Sequence, residues 1–244
     1  GPAWSYTEGL SVIAIHLNYP LVIFIVVAFF LPFFFNSGVA SIYEYLEKRF
    51  GPTSRGLIAA IFLVSQTLTS AAVLYATALV LEFITGMPVI YAIIIITLIG
   101  LIYTIMGGLA AVIWTDVIQA LILLVGALII TVSLINNLSL PLGETLEILK
   151  AEGKTNPLNF SFDTTQVSTV WTGVIAMTLF HITVYGANQM MVQRTLASKN
   201  IGDAKKSFLM MGYFAIFVYF LFFLLGILFY SYYGGRDFDN GNTI

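Results

Sequence analysis

The chain has 244 residues, of which 59% are hydrophobic and only 9% are charged, and its formal net charge is −2. So little charge excludes a water-soluble domain, and we expect a lipid bilayer, rather than nucleic acid, as its partner. The chain has no cysteine, which excludes disulfide scaffolds, thiolate metal sites and cysteine nucleophiles.

Several apolar segments are long enough to cross a hydrocarbon core, which takes about 20 residues of helix. They lack the alternation of polar and apolar residues that is typical of barrel strands. The sequence therefore predicts an all-α membrane protein with a single transmembrane domain over 1–244. Two short amphipathic stretches, 41–50 and 142–151, lie between spans. The six predicted transmembrane helices cover about 11–35, 56–84, 88–106, 108–135, 169–193 and 207–233.

The basic residues predict the orientation of these helices. Seven of them fall in loops 36–55 and 194–206, which six alternating spans place on one side, and three fall on the other. Cytoplasmic loops carry the excess of lysine and arginine. We therefore expect loops 36–55 and 194–206 in the cytoplasm, the connection 136–168 outside, and a location in the plasma (inner) membrane. Because the chain begins without methionine at Gly1, we expect it to be an internal fragment of a longer protein.

Asp116 is the one carboxylate well inside a predicted span, about 12 Å along the helix axis from Gly108. No lysine or arginine lies in any predicted span to neutralise it. A carboxylate at that depth must be protonated, hydrated or bound to a cation. Oxygen ligands suit a hard cation such as sodium, and a protonatable carboxylate also suits a proton relay. We expect Asp116 to lie on a sodium route; the alternative is a solvated carboxylate near the cytoplasmic interface.

Other polar residues within the predicted spans share helix faces. Gln66 and Thr69 are three residues apart, and Tyr185 is four from His181 and three from Asn188. The run around Tyr185 contains a glycine and resembles the interrupted helices that bind substrates and ions at the bilayer midplane. The alternative is that these groups hydrogen-bond between helices and hold the bundle together. The candidate substrate-binding residues are His16, Tyr19, Gln66, Thr69, His181, Tyr185 and Asn188.

Three motifs together resemble the sodium:solute symporter family in order and spacing. They are YEYLEKRFG at 43–51, YTIMGGLAAVIWTDVIQ at 103–119 and YGANQMMVQRTLA at 185–197. The resemblance implies a leucine-transporter-like core of two inverted five-helix repeats that works by alternating access. Our six helices would be the second to seventh of its ten. It further implies sodium as the coupling ion, a small solute as cargo, no other cofactor and no enzyme activity. In the family, the aspartate matching Asp116 lies near the sodium site, whose main ligands come from helices outside this sequence.

Departures from the family's patterns bear on the solute. Sugar carriers place Glu, Asn and Lys where this chain has His16, His181 and Ala215, and sialate carriers place Arg where it has Thr69. The motif at 185–189 is most similar to the branch that carries monocarboxylates, vitamins and iodide. The resemblance therefore favours a small organic anion. A sugar, sialate or amino-acid symporter and a transporter-like nutrient sensor remain as alternatives.

Overall fold

The computed structural model describes residues 1–163 and 165–236, and these residues contain helices and no strand. The predicted all-α class is confirmed. Residues 237–244, which follow the last predicted span, lie outside the described residues. The helices are α1 (Pro2–Ser37), α2 (Ile42–Phe50), α3 (Pro52–Thr85), α4 (Val89–Asn136), α5 (Leu142–Ala151), α6 (Thr172–Ala187), α7 (Gln189–Leu196) and α8 (Ile201–Tyr232).

The chain divides into two compact units. The first combines Gly1–Ile42 with Leu124–Ile244 and so contains α1, the end of α4, and α5 to α8. The second, Tyr43–Leu123, contains α2, α3 and most of α4. Within the second unit, two ion pairs join charged side chains near the α2–α3 junction, Lys48 to Glu44 at 2.8 Å and Arg55 to Glu47 at 2.5 Å.

Four described helices, α1, α3, α4 and α8, are long and apolar enough to cross a membrane, and α6 is a shorter apolar helix. Helix α4 has 48 residues and is interrupted at Gly108, whose φ of 55° and ψ of −149° are not helical. At about 1.5 Å per residue, α4 is longer than two crossings of a core about 30 Å thick. The break lies at the boundary between the predicted spans 88–106 and 108–135. The count of six crossings and the inverted-repeat arrangement stay predictions.

Helix α1 begins at Pro2 rather than near residue 11. Its first residues are too polar for hydropathy to include them in the predicted span, but packing buries Ser5 and Tyr6. The helix is also irregular: it passes through Gly9 with φ 74°, a 3₁₀ segment Gly9–His16 and a π segment Val26–Phe30. Pro20 follows the 3₁₀ segment and has no N–H to donate to the preceding turn. The irregular backbone therefore lies within an otherwise apolar span.

Helix α6 is irregular as well and ends earlier than the predicted 169–193. It contains π segments at Thr172–Met177 and Thr183–Ala187, and the chain becomes extended at Asn188, with φ −77° and ψ 128°. The side chain of Asn188 accepts a hydrogen bond from the backbone N–H of Met190 at 2.9 Å and so caps α7. The predicted fifth helix is thus discontinuous, and the interruption falls in its polar run.

Within the first unit, α1 packs against α6 and α8 through small residues. A Cβ on Gly173 of α6 would meet the backbone carbonyl of Ala14, and one on Gly212 of α8 would lie 2.8 Å from Cγ1 of Ile23. Small residues let membrane helices approach closely. The end of α4 adds a separate apolar cluster with α8, formed by Ala127, Leu134, Leu221, Leu225 and Leu228.

Candidate functional site

Polar and aromatic side chains from α1, α6 and α8 meet inside the first unit. Hydrogen bonds connect them across 163 to 200 residues of sequence, and ring contacts add further links between the helices. We call this group the histidine–tyrosine cluster, and it consists of His16, Asn18, Tyr19, His181, Tyr185, Tyr219 and Phe223.

A buried amide–imidazole pair joins α1 to α6. Nδ1 of His181 lies 2.9 Å from Nδ2 and 3.2 Å from Oδ1 of Asn18. The Asn18 amide can therefore donate to Nδ1 or accept from it, according to the imidazole tautomer. Asn18 is 1% exposed and His181 is 6% exposed. Burying these polar groups without the bond would be costly, so the pair fixes the two helices against each other.

Tyr19 connects all three helices through its hydroxyl. This hydroxyl lies 3.0 Å from the hydroxyl of Tyr185 on α6 and donates to the hydroxyl of Tyr219 on α8 at 3.3 Å. Its ring centroid is 4.9 Å from that of His181. Tyr19 is only 1% exposed, so its position is set by packing as well as by hydrogen bonds.

His16 lies flat against α8. Its ring stacks on Tyr219 with a centroid distance of 3.7 Å and an interplanar angle of 14°, and it also stacks on Phe223 at 5.7 Å. The ring of His181 is 6.1 Å away. Among the residues that the structure describes, the buried Nδ1 atom of His16 has no hydrogen-bond partner, and the same holds for the hydroxyl of Thr178, one turn before His181. Buried polar atoms of this kind need a partner, which a bound solute or water can supply.

The local sequence explains why polar groups gather here. The cluster begins at His16, the last residue of the 3₁₀ segment of α1, and includes Tyr185 in the π segment of α6 that precedes the break at Asn188. Regular helices satisfy their own backbone groups, whereas such irregular segments in membrane proteins line cavities or are buried in protein. Gly186 follows Tyr185 in the chain, and a Cβ on it would be 2.8 Å from the ring of Phe30. Its missing side chain therefore lets α6 approach α1.

The structure brings together four of the residues predicted from the sequence: His16, Tyr19, His181 and Tyr185. Asn188 caps α7. The other three candidates, Gln66, Thr69 and Asp116, belong to the second unit. There the Thr69 hydroxyl donates to the backbone carbonyl of Ser65 at 2.9 Å. The roles of all these residues in binding stay predictions.

Three members of the cluster were not predicted as site residues. Asn18 lies in the same predicted span as His16, and Tyr219 and Phe223 lie in the phenylalanine-rich run 214–229. The structure buries Phe223 to 1% exposure, while Phe214 and Phe217 of the same run remain exposed. A hydroxyl in an apolar span needs a hydrogen-bond partner, so the sequence did indicate that Tyr219 contacts another polar group.

The chemistry available in the cluster is hydrogen bonding and aromatic packing. Its side chains offer hydroxyl, amide and imidazole groups, and they include no carboxylate, lysine or arginine. Nowhere in the described part of the chain do three His, Cys, Asp or Glu residues form a group that could hold a metal ion. The arrangement is suited to holding a small polar molecule by several donors.

Comparison with known proteins identifies a family and several relatives. Residues 1–237 match the model of the sodium:solute symporter family. The chain is 36% identical over 209 residues to sodium-coupled monocarboxylate transporter 1 of Xenopus laevis, covering 84% of this chain and 33% of that protein. It is 31% identical over 239 residues to a sodium/glucose cotransporter of Vibrio parahaemolyticus, covering 92% of this chain and 43% of that protein.

A solved structure is also similar. It is described as the substrate-bound outward-open state of a Na⁺-coupled sialic acid symporter with a novel Na⁺ site. The TM-score is 0.87 at 28% sequence identity, and the match covers 99% of this chain and 52% of that one. The chain thus spans about a third to a half of the length of these relatives.

Proposed function

The chain belongs to the sodium:solute symporter family, and from this premise we propose that it forms the central part of a sodium-coupled symporter that imports a small organic anion. The family and its relatives are transporters, not enzymes. Alternating access would carry the solute and sodium across the plasma (inner) membrane, with loops 36–55 and 194–206 on the cytoplasmic side.

The observation that carries this proposal is the histidine–tyrosine cluster. It joins three helices of one unit, it lies where α1 and α6 lose regular geometry, and the buried Nδ1 of His16 lacks a partner among the described residues. Irregular helices at mid-membrane are where symporters of the leucine-transporter type bind their cargo. A solute that accepts hydrogen bonds from hydroxyl and imidazole groups fits these side chains.

An organic anion in this cluster needs a counter-charge, because burying an unpaired charge in a low-dielectric site costs on the order of several kcal/mol. The cluster itself offers no lysine or arginine. A co-bound sodium ion would supply the positive charge, and this would make anion binding depend on sodium. Coupling would then follow from electrostatics: each ion would raise the affinity for the other by the same factor.

The monocarboxylate solute is supported by the 36% identity to the Xenopus laevis protein. Thr69, in place of the arginine of sialate carriers, and the absence of the sugar carriers' residues at His16, His181 and Ala215 also favour it. Asp116 remains our candidate for the sodium route. It lies in the apolar helix α4, and an ionisable residue in such a span is a functional candidate by default.

Uptake by the full-length protein in proteoliposomes tests the proposal. The panel is radiolabelled pyruvate, lactate, pantothenate, sialate, glucose and proline, each with and without an inward sodium gradient. We expect sodium-dependent uptake of a monocarboxylate, and we expect Asp116→Asn to raise the sodium concentration needed for half-maximal uptake. The matched control is Glu144→Gln, which removes an exposed carboxylate of α5.

Each alternative gives a different result in this assay. Sodium-dependent uptake of glucose, sialate or proline alone would keep the symporter and reject the anion. If the wild type shows no gradient-dependent uptake of any compound, sodium coupling is rejected and a sensor is favoured. An Asp116→Asn variant with the sodium dependence of the wild type would remove Asp116 from the sodium route.

A further inference from the structure

We propose that Tyr219 is a specificity-determining residue whose hydroxyl donates a hydrogen bond to the carboxylate of the solute; this rests on the symporter function proposed above. The residue lies in α8 and was not among the binding residues predicted from the sequence. Its ring and its hydroxyl make separate contacts with the cluster, and the two can be removed separately.

The three tyrosine hydroxyls form a chain with a defined direction. Tyr19 donates to Tyr219 at 3.3 Å. A phenol has one proton, so Tyr19 must accept at its 3.0 Å contact with Tyr185. The donors therefore run from Tyr185 through Tyr19 to Tyr219. Tyr219 receives a hydrogen bond and still has its own proton to donate.

That last proton has no acceptor within the described part of the chain, where Tyr19 is the one hydrogen-bond partner of Tyr219. Tyr219 as a whole residue is only partly buried. Hydrogen bonds in a chain polarise one another, and a hydroxyl that already accepts is a better donor. The Tyr219 hydroxyl, the last of the three, can thus donate to an acceptor on a bound solute.

The ring of Tyr219 holds a second polar group, which is a donor when His16 carries its proton on Nδ1. Its stacking on His16, at 3.7 Å between centroids, holds the imidazole in the same layer of the cluster. Nδ1 of His16 is buried and lacks a partner among the described residues. A carboxylate has two oxygens that accept, so it can take a hydrogen bond from a hydroxyl and from an imidazole N–H at once. A neutral amide offers one such oxygen, which gives the pair a basis for selecting carboxylates.

The experiment compares Tyr219→Phe with wild type in the full-length protein, using sodium-driven uptake of radiolabelled pyruvate and competition by unlabelled lactate and lactamide. The variant keeps the ring and its stacking on His16 and loses only the hydroxyl. Hydrogen bonds to charged groups correspond to factors of about ten or more in affinity. We expect KM for pyruvate to rise about tenfold with little change in kcat, and the preference for lactate over lactamide to fall by a similar factor.

Two further variants separate ligand contact from structural support. Tyr213→Phe, on the same helix and 78% exposed, should behave as wild type. Tyr19→Phe breaks the bond to Tyr219 but leaves the Tyr219 hydroxyl, so we expect a rise in KM well below that of Tyr219→Phe. Melting temperatures in detergent check that all variants are folded.

The possible results are distinct. A wild-type KM and lactate preference in Tyr219→Phe would overturn the inference while leaving the symporter intact. Equal rises in Tyr219→Phe and Tyr19→Phe would also overturn it, because the effect would then come from breaking their mutual bond. Wild-type protein without sodium-dependent pyruvate or lactate uptake would reject the proposed solute, and this inference with it.

Discussion

The backbone carbonyl of Lys154 lies directly beside Gly9, where a Cβ on the glycine would be 2.6 Å from the carbonyl oxygen. The same carbonyl accepts a hydrogen bond from the N–H of Leu10 at 2.7 Å. The Lys154 ammonium donates to the carbonyls of Tyr6 at 3.1 Å and Thr7 at 2.5 Å. One residue of the connection after α5 thus satisfies backbone groups that the break in α1 leaves without helical partners.

Replacing Gly9 with alanine should destabilise the protein. Gly9 has φ 74° and ψ −162°, a conformation that is essentially restricted to glycine and costs other residues about 1–3 kcal/mol. The new methyl group would also collide with the Lys154 carbonyl. We expect Gly9→Ala to lower the melting temperature of the full-length protein in detergent. Gly143→Ala is the control, since Gly143 is helical and has nothing within 4 Å of an added Cβ; similar melting temperatures for both variants would contradict the prediction.

The side chain of Lys154 can be tested separately with Lys154→Met, which keeps the length of the chain and loses the charge. The two carbonyl acceptors and the ring of Tyr230, 4.4 Å from the ammonium, would lose their partner. We expect a loss of about 1–3 kcal/mol in the free energy of unfolding. Lys150→Met, four residues earlier and exposed, should change it by less than about 0.5 kcal/mol. Equal effects at the two lysines would show that the contacts of Lys154 add nothing.

The pair formed by Asn18 and His181 should appear as a coupling in a double-mutant cycle. Asn18→Ala or His181→Ala leaves a buried polar group unpaired, whereas the double variant removes both groups. We therefore expect the double variant to lose less stability than the sum of the single variants, by about 0.5–3 kcal/mol. Denaturant titration in detergent measures all four proteins. Strictly additive losses would mean that the two side chains do not interact.

Cysteine labelling should reveal the predicted orientation and the number of crossings in α4. The chain has no cysteine of its own, so single cysteines can be introduced in full-length protein freed of any others. In intact cells we expect an impermeant maleimide to label Met87→Cys and Glu144→Cys, and to label Ser54→Cys and Met106→Cys only after permeabilisation. Labelling of both Met87→Cys and Met106→Cys from one side would contradict two crossings separated at Gly108.

The family, the helical class and the apolar spans followed from the sequence because they depend on local properties. Hydropathy over about 20 residues identifies a span whatever its neighbours are, and glycine permits the conformation found at Gly108 wherever it occurs. The break near Asn188 was also visible, because a glycine and several polar residues there cannot form an ordinary apolar helix. The pairing of Asn18 with His181 was not visible in any local pattern.

The sequence by itself therefore determined that this is a membrane protein of the sodium:solute symporter family, and it selected four residues that the structure places together. Only the tertiary structure decided that Tyr219 stacks on His16 and that Lys154 fits beside Gly9. The physical reason is that helix periodicity fixes which residues share a face, while the packing of α1 on α8 and on the connection after α5 depends on side-chain shapes far apart in the chain. These contacts join residues separated by more than a hundred positions, and no local pattern encodes them.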